Sequence, residues 1–150
     1  MRALVAHEPP VALLLPDAEK ARADIQDIYD TYRGSGIGAA WQKFFAFAGI
    51  AVPPQGEDVA PSEEMVTTSE RFFGHGVLPI ALYEPDLAAL RDAAPRVVVA
   101  AGATSDGELA HRTAAALAER LGTSLVTFPG GHGGFATDAE EFAAVLRRAL

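Results

Sequence analysis

Three short stretches along the chain are dominated by consecutive apolar residues. They are Ala3 to Ala6, Arg96 to Ala101 and Ser124 to Phe128. Runs of this kind predict buried strands, because a half-exposed strand would alternate apolar and polar positions. The first run is halted by His7-Glu8-Pro9-Pro10, whose prolines end the strand and turn the chain away. Val97, Val98 and Val99 add the β-branched character that suits a pleated surface.

Elsewhere the apolar period is that of a helix. Between Asp17 and Arg33, residues Ala21, Ile25, Ile28, Tyr29 and Tyr32 share one face, and Gly34 and Gly36 stop the helix. A second helix is predicted from about Ile37 to Ala48. Trp41, Phe44, Phe45 and Ala48 form its stripe, Phe47 lies outside it, and Gly49 ends it. Val52 to Pro61 carries three prolines, a glycine and two acids, so it reads as a linker. Ser62 with Glu63 and Glu64 starts a third helix, since a serine caps free N–H groups and acids suit the positive end of the dipole. That helix carries Met65, Arg71, Phe72 and Phe73 and breaks at Gly74-His75-Gly76. Pro85-Asp86 starts a short helix through Leu90. Gly102 to Gly107 is a turn. Glu108 to Leu121 is a helix with Leu109, Ala116, Leu117 and Arg120 spaced along it, closed by Gly122. Pro129 to Phe135 is a glycine-rich loop. Asp138 to Leu150 is the last helix, with Phe142, Val145, Leu146 and Ala149 facing inward.

The order is strand, helical insert, strand, helix, strand, helix. Strands alternating with helices imply parallel pairing, so the expected fold is α/β with a small three-stranded parallel sheet and flanking helices. Two crossover helices do not obviously cover both faces and both edges of such a sheet. The 150 residues suit one domain, and 49% hydrophobic with 21% charged residues is a globular composition. No apolar run approaches the roughly 20 residues of a membrane span. Twelve basic against 20 acidic residues leave a net charge of -8. This excess of acid argues against nucleic acid and against an anionic membrane surface as partners. It fits an uncharged or weakly charged small molecule better. The absence of cysteine removes disulfides, thiol nucleophiles and cysteine metal sites, and it fits a cytoplasmic protein. No residue set asks for a metal or another cofactor.

The stretch richest in chemistry is Pro129-Gly130-Gly131-His132-Gly133-Gly134-Phe135. A buried strand leads into it, and ligand sites of open α/β sheets lie at the carboxyl ends of strands. The flanking glycines permit unusual backbone angles and leave the imidazole uncovered. Neutral imidazole serves as a base near physiological pH.

With this loop, Arg96 to Leu150 resembles the last third of an α/β-hydrolase, where a strand, a turn and a helix precede a strand ending in the catalytic histidine. Arg2 to Pro10 resembles the strand that follows the family's nucleophile helix, and residues 11–95 resemble its helical cap. The resemblance divides the single domain 1–150 into a partial α/β core, 1–10 and 96–150, and a cap-like insert, 11–95. It implies hydrolysis of an apolar ester or related substrate, with His132 moving the proton. The family's nucleophile sits in a Gly-x-Ser-x-Gly turn between strand and helix. No such turn occurs here: Ser35 lies in Gly34-Ser35-Gly36, with the wrong spacing and after a helix. The family's acid usually follows the strand that is here Arg96 to Ala101, often as Gly-x-x-Asp. Here Asp106 comes one place late, after Gly102-Ala103-Thr104-Ser105. Other members carry the acid at the end of the strand before the cap, the place of Glu8. Glu8 and Asp106 both stand as candidates to orient His132, and each has a structural alternative, Asp106 as an acid at a helix N-terminus.

His7 is a candidate ligand contact or a hydrogen-bonded structural group. Trp41, Phe45 and Phe72, with Phe44 and Phe73, line a substrate pocket under a cap or else form core. His75 and His111 read as surface or packing residues. Gly34 to Gly38 follows a helix and has no Lys-Ser/Thr pair, so it is not a phosphate loop. Two functions remain open. One is a hydrolase-like protein whose catalytic apparatus is incomplete in these residues. The other is a non-hydrolytic module that binds an apolar ligand or does acid–base chemistry as an oligomer. The first strand would lack its usual neighbour, and an apolar edge invites pairing with another chain. The expected partners are a second copy joined at this strand or a separate N-terminal half.

Overall fold

The computed structural model describes residues 3–51, 61–93 and 95–150. The linker expected at Val52 to Pro61 therefore lies outside the described residues, apart from Pro61, and so does Arg2. β1 (Ala3–His7), β2 (Arg96–Gly102) and β3 (Leu125–Phe128) form one parallel sheet in the order β1-β2-β3. Ala3 lies beside Arg96 and His7 beside Ala100, while Gly102 lies beside Phe128.

The pleat of β2 divides the core in two. Val97, Val99 and Ala101 point to one face, against Ala114, Leu117 and Ala118 of α6 (Leu109–Leu121). Val98 and Ala100 point to the other, against Phe142, Val145, Leu146 and Ala149 of α8 (Ala139–Ala149), which follows the short α7 (Gly134–Thr137). Two helices thus cover both faces of so narrow a sheet. The edges are another matter. Among the described residues β1 pairs with β2 alone, and its side chains are half-buried rather than buried, with Leu4 39% exposed. The apolar run marked a strand correctly but overstated its burial, because only one side of it has a strand neighbour among the described residues.

Between β1 and β2 stand α1 (Ala18–Ser35), α2 (Ile37–Ala48), α3 (Glu63–Arg71), α4 (Val77–Ala81) and α5 (Leu87–Asp92). α1 runs through Gly34 and ends only at Gly36, whose φ of 85° suits glycine. The Ser62 hydroxyl accepts the Met65 N–H at 3.2 Å, the expected cap, and the Asp86 carboxylate likewise caps α5 by accepting the Ala89 N–H at 2.9 Å. Gly74-His75-Gly76 does not break the chain's helical path. Phe72–Gly76 forms a π-helical turn joining α3 to α4. A π turn is wider than an α turn. It brings the consecutive Phe72 and Phe73 both against Trp41, with ring centroids at 5.5 and 4.9 Å.

The insert has its own core of Ile28, Ala40, Phe73 and Val77. A 3-10 turn at Ala12–Leu14 connects it to the sheet: Val11 and Leu14 pack on β2 and α6, while Ala12 packs on Ala21 and Ile25. An ion pair between Arg112 and Asp17 at 2.7 Å adds a link at the surface. No described helix is long and apolar enough to cross a membrane.

Phe73 is 0% exposed at the centre of the insert. Phe73→Ala is expected to lower unfolding free energy by about 3–5 kcal/mol in urea titrations. Leu4→Ala, on the open strand, is expected to cost less than about 1 kcal/mol in the same titration.

Candidate functional site

The three strands end side by side, and each delivers one segment to the same place. Glu8 follows β1, the turn Ala103 to Ser105 follows β2, and the histidine loop follows β3. The chain leaves β1 sharply. Glu8 has a φ of 47°, the one non-glycine residue in the left-handed region among those described. Such a conformation costs of order 1 kcal/mol or more and persists only where neighbours hold it. Here the Glu8 N–H donates to the Ala100 carbonyl at 2.9 Å. The next residue is held as well, since the Thr113 hydroxyl donates to the Pro9 carbonyl at 2.7 Å.

The Glu8 side chain turns inward and is 1% exposed as a residue. A carboxylate taken from water needs donors, and this one has three. Its Oε1 accepts the Gly102 N–H at 2.8 Å and the Ser105 hydroxyl. Its Oε2 lies 3.0 Å from His132 Nδ1. Burial pushes the Glu8 carboxyl upward. The bonds from Ser105, Gly102 and His132, with the charge interaction of His7, outweigh it and hold the group below the ordinary carboxylate range.

The His132 side chain is 53% exposed. With Nδ1–H donated to Glu8, Nε2 is left with a lone pair on the open side of the ring. Glu8 thereby selects the tautomer. The loop owes its shape to close backbone approaches as much as to freedom of rotation. A Cβ on Gly102 would stand 2.6 Å from the Gly130 carbonyl oxygen and 2.7 Å from Gly131 backbone atoms. Gly130 has a φ of 71°, and a Cβ there would meet Asp138.

His7 lies beside the pair. Its ring centroid is 6.5 Å from that of His132, and it packs edge-on against Phe128 and Phe142. Burial lowers its basicity, Glu8 opposes this, and His132 adds to it, leaving His7 less basic than an ordinary histidine. Its Nε2 is buried without a hydrogen-bond partner among the described residues.

The structure therefore brings together His132, Glu8 and His7. It does not bring in Asp106, whose side chain is 95% exposed and lies 3.9 Å from His111. The turn after β2 points Ser105 inward and Asp106 outward. The aromatic residues are also elsewhere. Trp41 stacks between Phe45 and Phe72, at 5.3 and 5.5 Å, and its indole N–H donates to the Ser69 hydroxyl at 3.0 Å. These rings pack on one another and not on His7 or His132: Trp41 and Phe72 are half-buried against the insert's core, and Phe45 is half-buried against Trp41 and Phe44, so none of them lines this site. His75 is exposed, and no group of three or more metal-ligating side chains occurs among the described residues. A groove of about 560 Å³ opens at the opposite end of the sheet, between Arg96, Thr123 and Arg148, and does not include His132.

Two contributors escaped the sequence. Ser105 lacks a nucleophile's surroundings, and Thr113 sits at a polar position of a helix whose periodicity is read from apolar residues. Set against known protein families, curated proteins and solved structures, the chain matches none.

Gly102→Ala is expected to cost about 1–3 kcal/mol, because the atoms it meets are backbone. It should also move the histidine loop, visible as a changed His132 signal in NMR spectra. Stability should depend on pH in one direction. His7 and Glu8 both bind protons less readily folded than unfolded, from reference values of 6.5 and 4.5. Their contribution is full above about pH 6.5 and is lost as pH falls, first through His7 and then, below 4.5, through Glu8. Thermal melts across pH 3–8 check this, and His7→Asn should remove the upper part of the slope.

Proposed function

We propose that Glu8 and His132 form the acid–histidine part of a hydrolase-like site of the α/β-hydrolase kind, acting on an apolar ester or related substrate. The observation that carries this reading is the 3.0 Å contact of His132 Nδ1 with the buried Glu8 carboxylate, at the carboxyl ends of parallel strands. His132 Nε2 takes the proton of an attacking hydroxyl, and Glu8 stabilises the resulting imidazolium. The attacking group is supplied from outside these 150 residues, which contain no Gly-x-Ser-x-Gly turn. Ser105 is not a substitute, since its hydroxyl is buried and donated to Glu8.

The open side of β1 is where such a segment joins. β1 leads directly into Glu8, and a strand edge unpaired among the described residues, with Leu4 exposed, is a template for another strand. The partner is a second copy of the chain or a separate segment bearing the nucleophile. A second reading, acid–base chemistry without a covalent step, is favoured by the same exposed imidazole and needs no serine.

Hydrolysis of a short-chain nitrophenyl ester by the purified chain, beside His132→Ala, tests the proposal. The expected result is no turnover above the variant's background until a segment with a nucleophile is added. Turnover by the chain alone that vanishes in His132→Ala would place the attacking group within these residues and overturn the incomplete-site reading. Sedimentation analysis tests the edge: a dimer that Leu4→Lys dissociates is expected if copies pair there, and a monodisperse monomer rules out self-pairing.

A further inference from the structure

The Glu8 carboxylate has two oxygens and one histidine to serve, and nothing intrinsic to a carboxylate prevents it from rotating. What surrounds Oε1 does. Gly102 N–H approaches it at 2.8 Å from the end of β2, and the Ser105 hydroxyl approaches from the following turn. Ser105 is fully buried. Its backbone carbonyl accepts the Glu108 N–H at 3.0 Å, and its turn is tied to the histidine loop by the Thr104 N–H donating to the Gly130 carbonyl at 3.1 Å. A Cβ built on Gly131 would stand 3.8 Å from the Ser105 Cβ, which places Ser105 directly beneath the residue before His132. The hydroxyl has a second acceptor within reach, the Gly102 carbonyl at 3.2 Å, but the carboxylate is the closer one and carries the charge.

We infer that Ser105 is a positioning residue: by occupying Glu8 Oε1 it commits Oε2 to His132 Nδ1 and so sets the tautomer that leaves Nε2 as the base. The inference rests on the Glu8–His132 reading given above. It assigns to Ser105 a role that acts through Glu8, with no contact to substrate. Without the hydroxyl, the Gly102 N–H alone holds Oε1. The carboxylate can then turn, Nδ1–H loses its fixed acceptor, and both tautomers of His132 are populated. The bond from Ser105 also helps hold the Glu8 carboxyl low, so its loss moves Glu8 titration upward.

The test uses the whole chain, labelled with ¹⁵N at histidine, and long-range ¹H–¹⁵N spectra at a pH where the ring is neutral. The unaltered protein should show one protonated nitrogen, Nδ1, and one pyridine-like nitrogen, Nε2. In Ser105→Ala the two nitrogen signals should move towards each other as the tautomers mix, and Glu8 should titrate at higher pH by carboxyl ¹³C NMR. Ser105→Thr, which keeps the hydroxyl, should retain the original pattern. Should Ser105→Ala fail to fold, Ser105→Cys keeps the volume with a much weaker donor and should show the same mixing. An unchanged His132 pattern in Ser105→Ala, with mixing in Glu8→Ala, which removes the acceptor, overturns the role of Ser105 and leaves the Glu8–His132 pair standing. An unchanged pattern in Glu8→Ala as well overturns both.

Discussion

A carboxylate removed from water costs several kcal/mol unless donors surround it, and Glu8 is buried at the meeting point of all three strand ends. Its donors come from residues 94 and 97 positions away on one side and 124 away on the other. No one of these segments can shift without leaving a buried charge or a buried donor unpaired. The left-handed φ of Glu8, the backbone-to-backbone contact of Gly102 with Gly130 and Gly131, and the Thr113 anchor on Pro9 are parts of the same arrangement. The carboxylate is thus both the tie that registers the carboxyl end of the sheet and the partner that orients an exposed imidazole.

The remainder of the molecule falls into two cores with different obligations. The sheet core depends on β2, whose alternating residues reach α6 on one face and α8 on the other. The insert satisfies itself. Its aromatic rings stack on one another, and the Trp41 indole finds Ser69, so its polar and apolar needs are met locally. The 3-10 turn at Ala12–Leu14 belongs to both cores. The aromatic cluster stands apart from the site, its rings packing on the insert's core and on one another.

Among the described residues one side of β1 has no strand beside it. Unpaired strand N–H and C=O groups beside a half-exposed apolar face are a standing template for another strand. Glu8 is the residue immediately after that strand. The buried Glu8 carboxylate and its contact with His132 thus stand at the end of the strand whose outer side is open among the described residues.

Local chemistry made much of this readable in advance. Consecutive apolar residues marked all three strands, and helical periodicity with Ser62, Asp86, Gly49 and Gly122 marked most helices, because these signals act within a few residues. The parallel sheet followed from the alternation of elements, and the histidine loop from its glycines. The glycines at 74 and 76 misled, because a π turn answers to the aromatic packing of Phe72 and Phe73 and not to local propensity. The choice between Glu8 and Asp106 was open for a similar reason. Both are acids beside a strand end, and only the direction of the turn after β2 sends Ser105 in and Asp106 out. The sequence by itself determined the three strands, most of the helices, their order and the histidine. Tertiary structure alone decided which carboxylate meets it and which hydroxyl holds that carboxylate, because those contacts join residues roughly a hundred positions apart, beyond the reach of any local pattern.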